Sequence, residues 1–498
     1  MQLKEIVMTV TKKIFAVSIA CALLAANVYA QSDWGDDGAV EETSEPTFWD
    51  RFKISGDATL AGRAYFDGKS VYTTTTNVIP RLKLGFDYEG NATKFSSKLR
   101  FDEQTLRYDN EMILDEFSAD LFVGNWVLSA GKMKVVWGKG DKLHVLDNFN
   151  SNNYYDFLIP DYLDRRNAEY MFRAQYNSPY GFRLEGIYTP MMHGETYADK
   201  KSPWYPNKVA TLTNNVLTYL DTKYSSLKPS TAQKVLSTSE DLYPDTHKLE
   251  YGQFGGYLNF TVGLFDFGVS YYNGRYKQVS ADLTGLIALK MQGTPYASYA
   301  LPYVGLPKLS YDKVQSFGLD MQTALGPFTV RAEAVYNLTK DTDGTDPWTH
   351  NNSIGYLLGF DVSLPIHNVT LNVQGTGNIV LKKDKILDGK IVFSGVVPFA
   401  TKEYDIDNDP TGCYTNHKVV VQLQDTFYYE KVTATVKAIY GIERYDLILM
   451  PEVSFKVRDG WKATASGLFI TNLNKEENSE FYGWLNNSFI QLAVNYTF

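Results

Sequence analysis

Residues 490–498 constrain this chain more than any other stretch. Ile490, Leu492, Val494, Tyr496 and Phe498 fall on one side of a two-residue alternation, and Gln491, Ala493, Asn495 and Thr497 fall on the other. Successive side chains of a β-strand point to opposite faces, so this pattern predicts a strand with one oily and one polar face. A strand in this position has a free edge, and pairing it with the first strand of the chain would remove that edge. The expectation is a chain that closes on itself as a cylinder.

The same alternation begins at Phe52, where Phe52, Ile54, Gly56, Ala58 and Leu60 interleave with Lys53, Ser55, Asp57 and Thr59. It recurs with Leu82, Leu84, Phe86 and Tyr88 against Arg81, Lys83 and Asp87, and again in Tyr170, Phe172, Ala174 and Tyr176 against Glu169, Arg173 and Gln175. Eighteen such segments can be placed, with sixteen as the nearest alternative count. The fifth is expected over 126–137, with a β-bulge near Gly131, because Lys132 and Lys134 share a face that Trp126 and Leu128 also claim. Every second connection is a tight turn, such as Gly124-Asn125, Gly326-Pro327 or Arg458-Asp459-Gly460. Nearly all the others are long, as at 190–250, 276–313, 339–352 and 381–417. Short turns at one end and long loops at the other are the asymmetry of an outer-membrane barrel. The predicted fold is therefore all-β: a transmembrane antiparallel up-and-down β-barrel with short periplasmic turns and long extracellular loops. One long loop, 209–239, carries Leu212, Val216 and Leu220 at helical spacing and is expected to be partly helical.

The N-terminus is consistent with export. Lys12 and Lys13 precede an apolar run from 14 to 26, and Val28-Tyr29-Ala30 supplies small residues for cleavage after Ala30. The expected organisation is a signal peptide at 1–30, a short acidic periplasmic segment at 31–51 and a barrel over 52–498. A lipoprotein-type cleavage before Cys21 is the competing reading. The mature chain keeps one cysteine, Cys413, which leaves no intrachain disulfide to staple a small domain. Net charge is −9 for the full chain, which disfavours a nucleic-acid partner. Mean hydropathy is −0.27, yet 14% of residues are aromatic. A polar average with abundant aromatics fits a barrel, because half of each strand faces water.

The polar faces carry Lys53, Arg63, Arg81, Lys83, Lys94, Lys98, Arg100, Arg173, Arg183 and Arg331, with Glu185 and Glu333 among the acids. A Lys or Arg facing lipid near the midplane costs about 2–4 kcal/mol, so these residues are expected to line a wet lumen. A cylinder of this size is too wide for side chains to fill. The slight basic excess predicts a mild anion preference.

The most distinctive local sequence is Trp137-Gly138-Lys139-Gly140-Asp141, followed by Asp147-Asn148-Phe149-Asn150 and Tyr154-Tyr155-Asp156. With Arg165-Arg166 and the run 184–190, it resembles a segment of a porin-like bacterial outer-membrane β-barrel family, in which a strand ends in Trp-Gly before an Asp. Ser151 stands where that family usually has proline. The final Phe498 also resembles the terminal signal common in outer-membrane barrels, which implies the barrel-assembly machinery as a partner. By analogy with general porins, the connection between the fifth and sixth strands would fold inward as a constriction. Trp137, Gly138, Gly140, Asp141, Asp147, Asn150 and Asp156 are the candidate constriction residues, and acids here facing basic strands would set a transverse field. The competing reading is a sharp turn with Trp137 in the outer aromatic girdle.

Signs of catalysis are thin. The six histidines fall in apparent loops or turns, and none stands on a strand beside a serine and an acid. His144, between Asp141 and Asp147, is the best of them. Asp405, Asp407 and Asp409 begin like a calcium loop, but Pro410 and Asn416 occupy positions where glycine and glutamate are required. No cofactor motif is present. The expected function is a non-enzymatic channel for passive or weakly selective diffusion of small hydrophilic solutes, embedded in outer-membrane lipid, with assembly into an oligomer left open. A barrel scaffold or adhesin acting through its loops, or a transporter of hydrophobic compounds, are the alternatives.

Overall fold

The computed structural model describes residues 48–66, 78–141, 143–198, 202–205, 243–291, 294–295, 297–303, 308–385, 405–407 and 414–498. The leader, the acidic segment before Phe48, the loop expected to be helical over 209–239, Asp409 and Cys413 lie outside these residues.

Eighteen antiparallel strands form one sheet. In chain order they are β1 Phe52–Tyr65, β2 Val78–Glu89, β3 Thr93–Phe101, β4 Leu114–Val123, β5 Trp126–Met133, β6 Glu169–Asn177, β7 Phe182–Thr189, β8 Gln253–Val262 and β9 Phe265–Arg275. They continue as β10 Lys313–Leu325, β11 Phe328–Thr339, β12 Ser353–Ser363, β13 Thr370–Val380, β14 Thr415–Phe427, β15 Val432–Gly441, β16 Asp446–Arg458, β17 Trp461–Asn472 and β18 Phe489–Thr497. Each pairs with its chain neighbours, and β18 pairs with β1 from Asp57↔Thr497 to Tyr65↔Phe489. Phe498 extends that closure, exchanging two backbone hydrogen bonds with Gly56 at 2.9 and 3.0 Å. The edge strand that the sequence could not leave open is closed.

The apolar rows face outward. Ile54, Leu60, Phe172, Leu358, Leu492 and Val494 are all exposed large hydrophobics on barrel strands, and such a belt is stable only against lipid. Polar neighbours on the same strands point inward, as Asp57, Arg63 and Asn495 do on the closing pair. The expected alternation of connections also holds. The exception is 442–445 between β15 and β16, a short link on the long-loop side. There the chain reverses through Tyr445, whose φ is +62°.

Two details differ from the sequence reading. The fifth strand stops at Met133 instead of Trp137, because the chain leaves the wall there and turns into the barrel. The bulge is not at Gly131: β4 and β5 pair without a shift from Phe117↔Lys132 to Val123↔Trp126. It lies one strand away, between β3 and β4, where Lys98 faces Glu116 but Leu99 faces Leu114. The extra residue, Asp115, ion-pairs with Lys134 at 3.1 Å. Gly131 has a different role. A Cβ there would stand 2.0 Å from the carbonyl oxygen of Phe117, so only glycine lets the two strands approach this closely.

Candidate functional site

The connection 134–168 folds into the barrel, and its first half packs on the inner wall of β7–β13. Trp137 is 2% exposed, which places it inside and excludes the outer girdle. Its indole stacks on Tyr257 of β8 at 5.6 Å and meets Phe149 edge-on at 5.0 Å. Its Nε1 donates to Glu185 of β7 at 2.8 Å. Leu146 and Phe149 complete an apolar cluster with Met171, Ile187, Tyr272, Val314 and Val335 from the wall.

Glu333 of β11 anchors the next turn. Its carboxylate accepts from Gly140 N at 2.6 Å and from Val145 N at 2.8 Å, and it lies 3.1 Å from His144 Nδ1. Gly138, at φ +105°, sits so close that a Cβ would lie 2.3 Å from the same carboxylate. Lys139 pairs with Asp266 of β9 at 2.5 Å, and Asn372 of β13 donates to Asp141 at 3.2 Å. Asn150 ties the two legs of the connection together: it accepts from Val135 N and donates to the carbonyls of Met133 and Asn167. Asp147 pairs with Arg166 at 3.0 Å and accepts from the Tyr162 hydroxyl, and its side chain is almost fully buried.

The second half returns along β1 and β2. Arg63 of β1 meets Asp156 in a two-pronged pair, Nη1 to Oδ1 at 2.7 Å and Nη2 to Oδ2 at 3.0 Å. Lys83 of β2 reaches Asp164 at 2.6 Å. Burial alone would raise the Asp164 pKa, but the Lys83 ammonium holds it below the ordinary carboxylate value. Arg100 of β3 joins Asp102 at 3.2 Å and Gln104 at 3.0 Å, beside the short helix Glu103–Arg107 that Asp102 caps.

Between this second half and the wall of β14–β18 and β1–β3 lies a cavity of about 1000 Å³. Arg63, Arg81, Lys83 and Arg100 line one part of it, Asp156, Asp161 and Asp164 the loop side, and Lys437, Glu452 and Lys462 the opposite wall. Trp204 and Phe489 lie at its margin. Basic and acidic groups are close to balanced, and the closest opposites neutralise one another.

The sequence-expected residues therefore separate into groups. Arg63, Arg81, Lys83, Arg100 and Asp156 meet at the cavity. Glu185 and Glu333 point inward, but each is taken up by the folded-in connection, with Arg173 paired to Glu185 at 2.5 Å. Arg331 pairs with Asp361, and the Nε of Arg183 has no hydrogen-bond partner among the described residues. Lys53 is exposed at the turn end of β1, and Lys94 and Lys98 pair with Glu89 and Glu116 at 3.0 Å. Among the constriction candidates, Trp137, Gly138, Gly140, Asp141, Asp147 and Asn150 fasten the connection, and Asp156 faces open space. Sequence reasoning missed the far wall, Gln422, Gln424, Thr435 and Thr464, because short polar residues on a strand resemble any hydrated face.

The side chain of His144 lies buried against Glu333. His417 lies on β14, not in a loop, and pairs with Glu443. Asp405, pushed up to about 6 by burial, accepts from the Tyr414 hydroxyl at 2.9 Å, and Asp407 accepts from Asn351 N at 2.7 Å. Among the described residues no three His, Cys, Asp or Glu side chains converge as a metal site.

No protein-family model matches the sequence, and no curated protein matches it. Among solved structures the chain is similar to OccAB4 of Acinetobacter baumannii, at 10% identity over 90% of this chain and 97% of that one, with a TM-score of 0.45. It is also similar to Wzi of Escherichia coli, at 11% identity over 89% of this chain and 84% of that one (TM-score 0.43). A mutant of Rh. blastica porin follows at 10% identity over 90% of this chain and 100% of that one (TM-score 0.36). Likeness at this level carries no functional argument, and the barrel rests on its own strand pairing.

Proposed function

We propose that the protein is a porin-like channel of the bacterial outer membrane through which small hydrophilic solutes diffuse. The observation that carries this reading is the charged cavity left between the folded-in connection and the wall of β14–β18 and β1–β3. Ionic side chains on a low-dielectric wall favour hydrated, polar solutes and disfavour an apolar cargo. On this reading residues 1–30 are a cleaved leader, 31–51 a periplasmic segment, and the surroundings are lipid outside and solute inside. The terminal strand would be the part read by the barrel-assembly machinery, and no chemistry is assigned to the protein.

A second reading, a barrel scaffold acting through its loops, is favoured by one observation: the first half of the 134–168 connection is bonded along its length to β7–β13. Planar-bilayer recording of refolded protein separates the two. Steady conductance steps with a mild anion preference are expected, and Asp156→Asn should shift the reversal potential further toward anions. A folded, heat-modifiable barrel that conducts nothing would reject the channel and leave the scaffold.

A further inference from the structure

Two histidines outside the cavity are arranged as metal ligands. His193 follows β7, and His247 precedes β8, so the two ends of one long connection bring them together. Their Nε2 atoms stand 3.4 Å apart, with the rings at 78°. His193 is backed through Nδ1 by Glu169 at 2.7 Å, while Asp245 stands 3.6 Å from His247 Nδ1, beyond hydrogen-bond reach. Glu169 is fully buried and also accepts from His193 N at 2.8 Å, which fixes the ring and turns Nε2 outward. Met192 N donates to Thr246 O at 3.4 Å beside the pair.

We propose that His193 and His247 form a two-imidazole site for a divalent first-row transition cation, with zinc as the reference ion. Three features support it. Two nitrogens each about 2.0–2.1 Å from a tetrahedral zinc stand about 3.4 Å apart, which is the separation present. On His193, the Glu169 carboxylate at the far nitrogen is the outer shell that orients a metal-bound imidazole and fixes its tautomer. The pair is open to solvent, with side-chain exposures of 26% and 53%, so an ion can arrive and water can complete its coordination. The positive charges of Lys132 and Lys277 near His193 oppose a cation, and Glu169 offsets them. Protons compete with a cation for the same nitrogens. The site is independent of solute conduction.

The test is calorimetric titration of zinc chloride into tag-free, refolded full-length chain carrying Cys21→Ser and Cys413→Ser, which removes both thiols as competing ligands. One saturable site is expected. His247→Gln and His193→Gln should each weaken it by at least about tenfold, and His350→Gln, in a separate loop cluster, should not. His247 is exposed, so His247→Gln decides the matter even where His193→Gln folds poorly. Absence of saturable zinc binding in the cysteine-free chain would overturn the proposal and leave a hydrogen-bonded histidine pair. Binding unchanged by His247→Gln would also overturn it.

Discussion

A single carboxylate holds the turn that packs on the inner wall of this barrel. Glu333 satisfies two backbone N–H groups and one imidazole from a connection nearly two hundred positions away in sequence. Glu333→Ala would leave those N–H groups buried and unpaired, at about 1–3 kcal/mol each. The expected result is a loosened turn inside an intact barrel: larger and noisier single-channel conductance, with the heat-modifiable gel shift retained. Conductance identical to the unaltered protein would show that the anchor does not control the lumen. Asp147 behaves differently from its sequence expectation. The transverse-field argument placed it at the constriction, but Arg166 and Tyr162 bury it away from the cavity. Asp156 takes up the position facing basic strands. Alternation shows which charges point inward, and it carries no information about which inward charge a loop will cover.

The wall was legible at the scale of the strand because its rules are local. Two-residue periodicity, glycine-bearing turns and long links on the opposite side are each set by a few neighbouring residues. The miss at β5 has a physical reason as well. Residues 134–137 keep the alternation of a strand, but they spend it on the inner face of β7–β8 instead of on a ladder partner. Lys132, next to Gly131, is the last residue of β5 that pairs with β4. Gly131→Ala would drive a methyl group into the Phe117 backbone, and forced overpacking of this kind costs about 1–3 kcal/mol. Gly186→Ala, on β7, meets nothing within 4 Å and serves as its control. The fraction of folded, heat-modifiable protein after refolding should fall for Gly131→Ala and hold for Gly186→Ala. Equal yields would mean that the close approach at Phe117 is relieved without cost.

Across the whole molecule the barrel is asymmetric, because one connection occupies one side of it. A cylinder of eighteen strands encloses more space than its own side chains fill. Here the first half of the 134–168 connection packs against β7–β13, and its second half borders the cavity bounded by β14–β18 and β1–β3. The asymmetry makes a prediction that no single residue makes. With Cys21→Ser and Cys413→Ser as background, Thr464→Cys on β17 lies in the cavity wall. Ser316→Cys on β10 also points inward, but it is 3% exposed. A charged, water-soluble thiol reagent added during bilayer recording should react at position 464 and lower the conductance, because the new group stands in the solute path. The same reagent should leave position 316 unmodified until Glu333→Ala is added, because that change frees the covering turn. Equal labelling of both positions in the otherwise unaltered barrel would mean that solvent reaches both halves. The charged half-lumen would then no longer define the path.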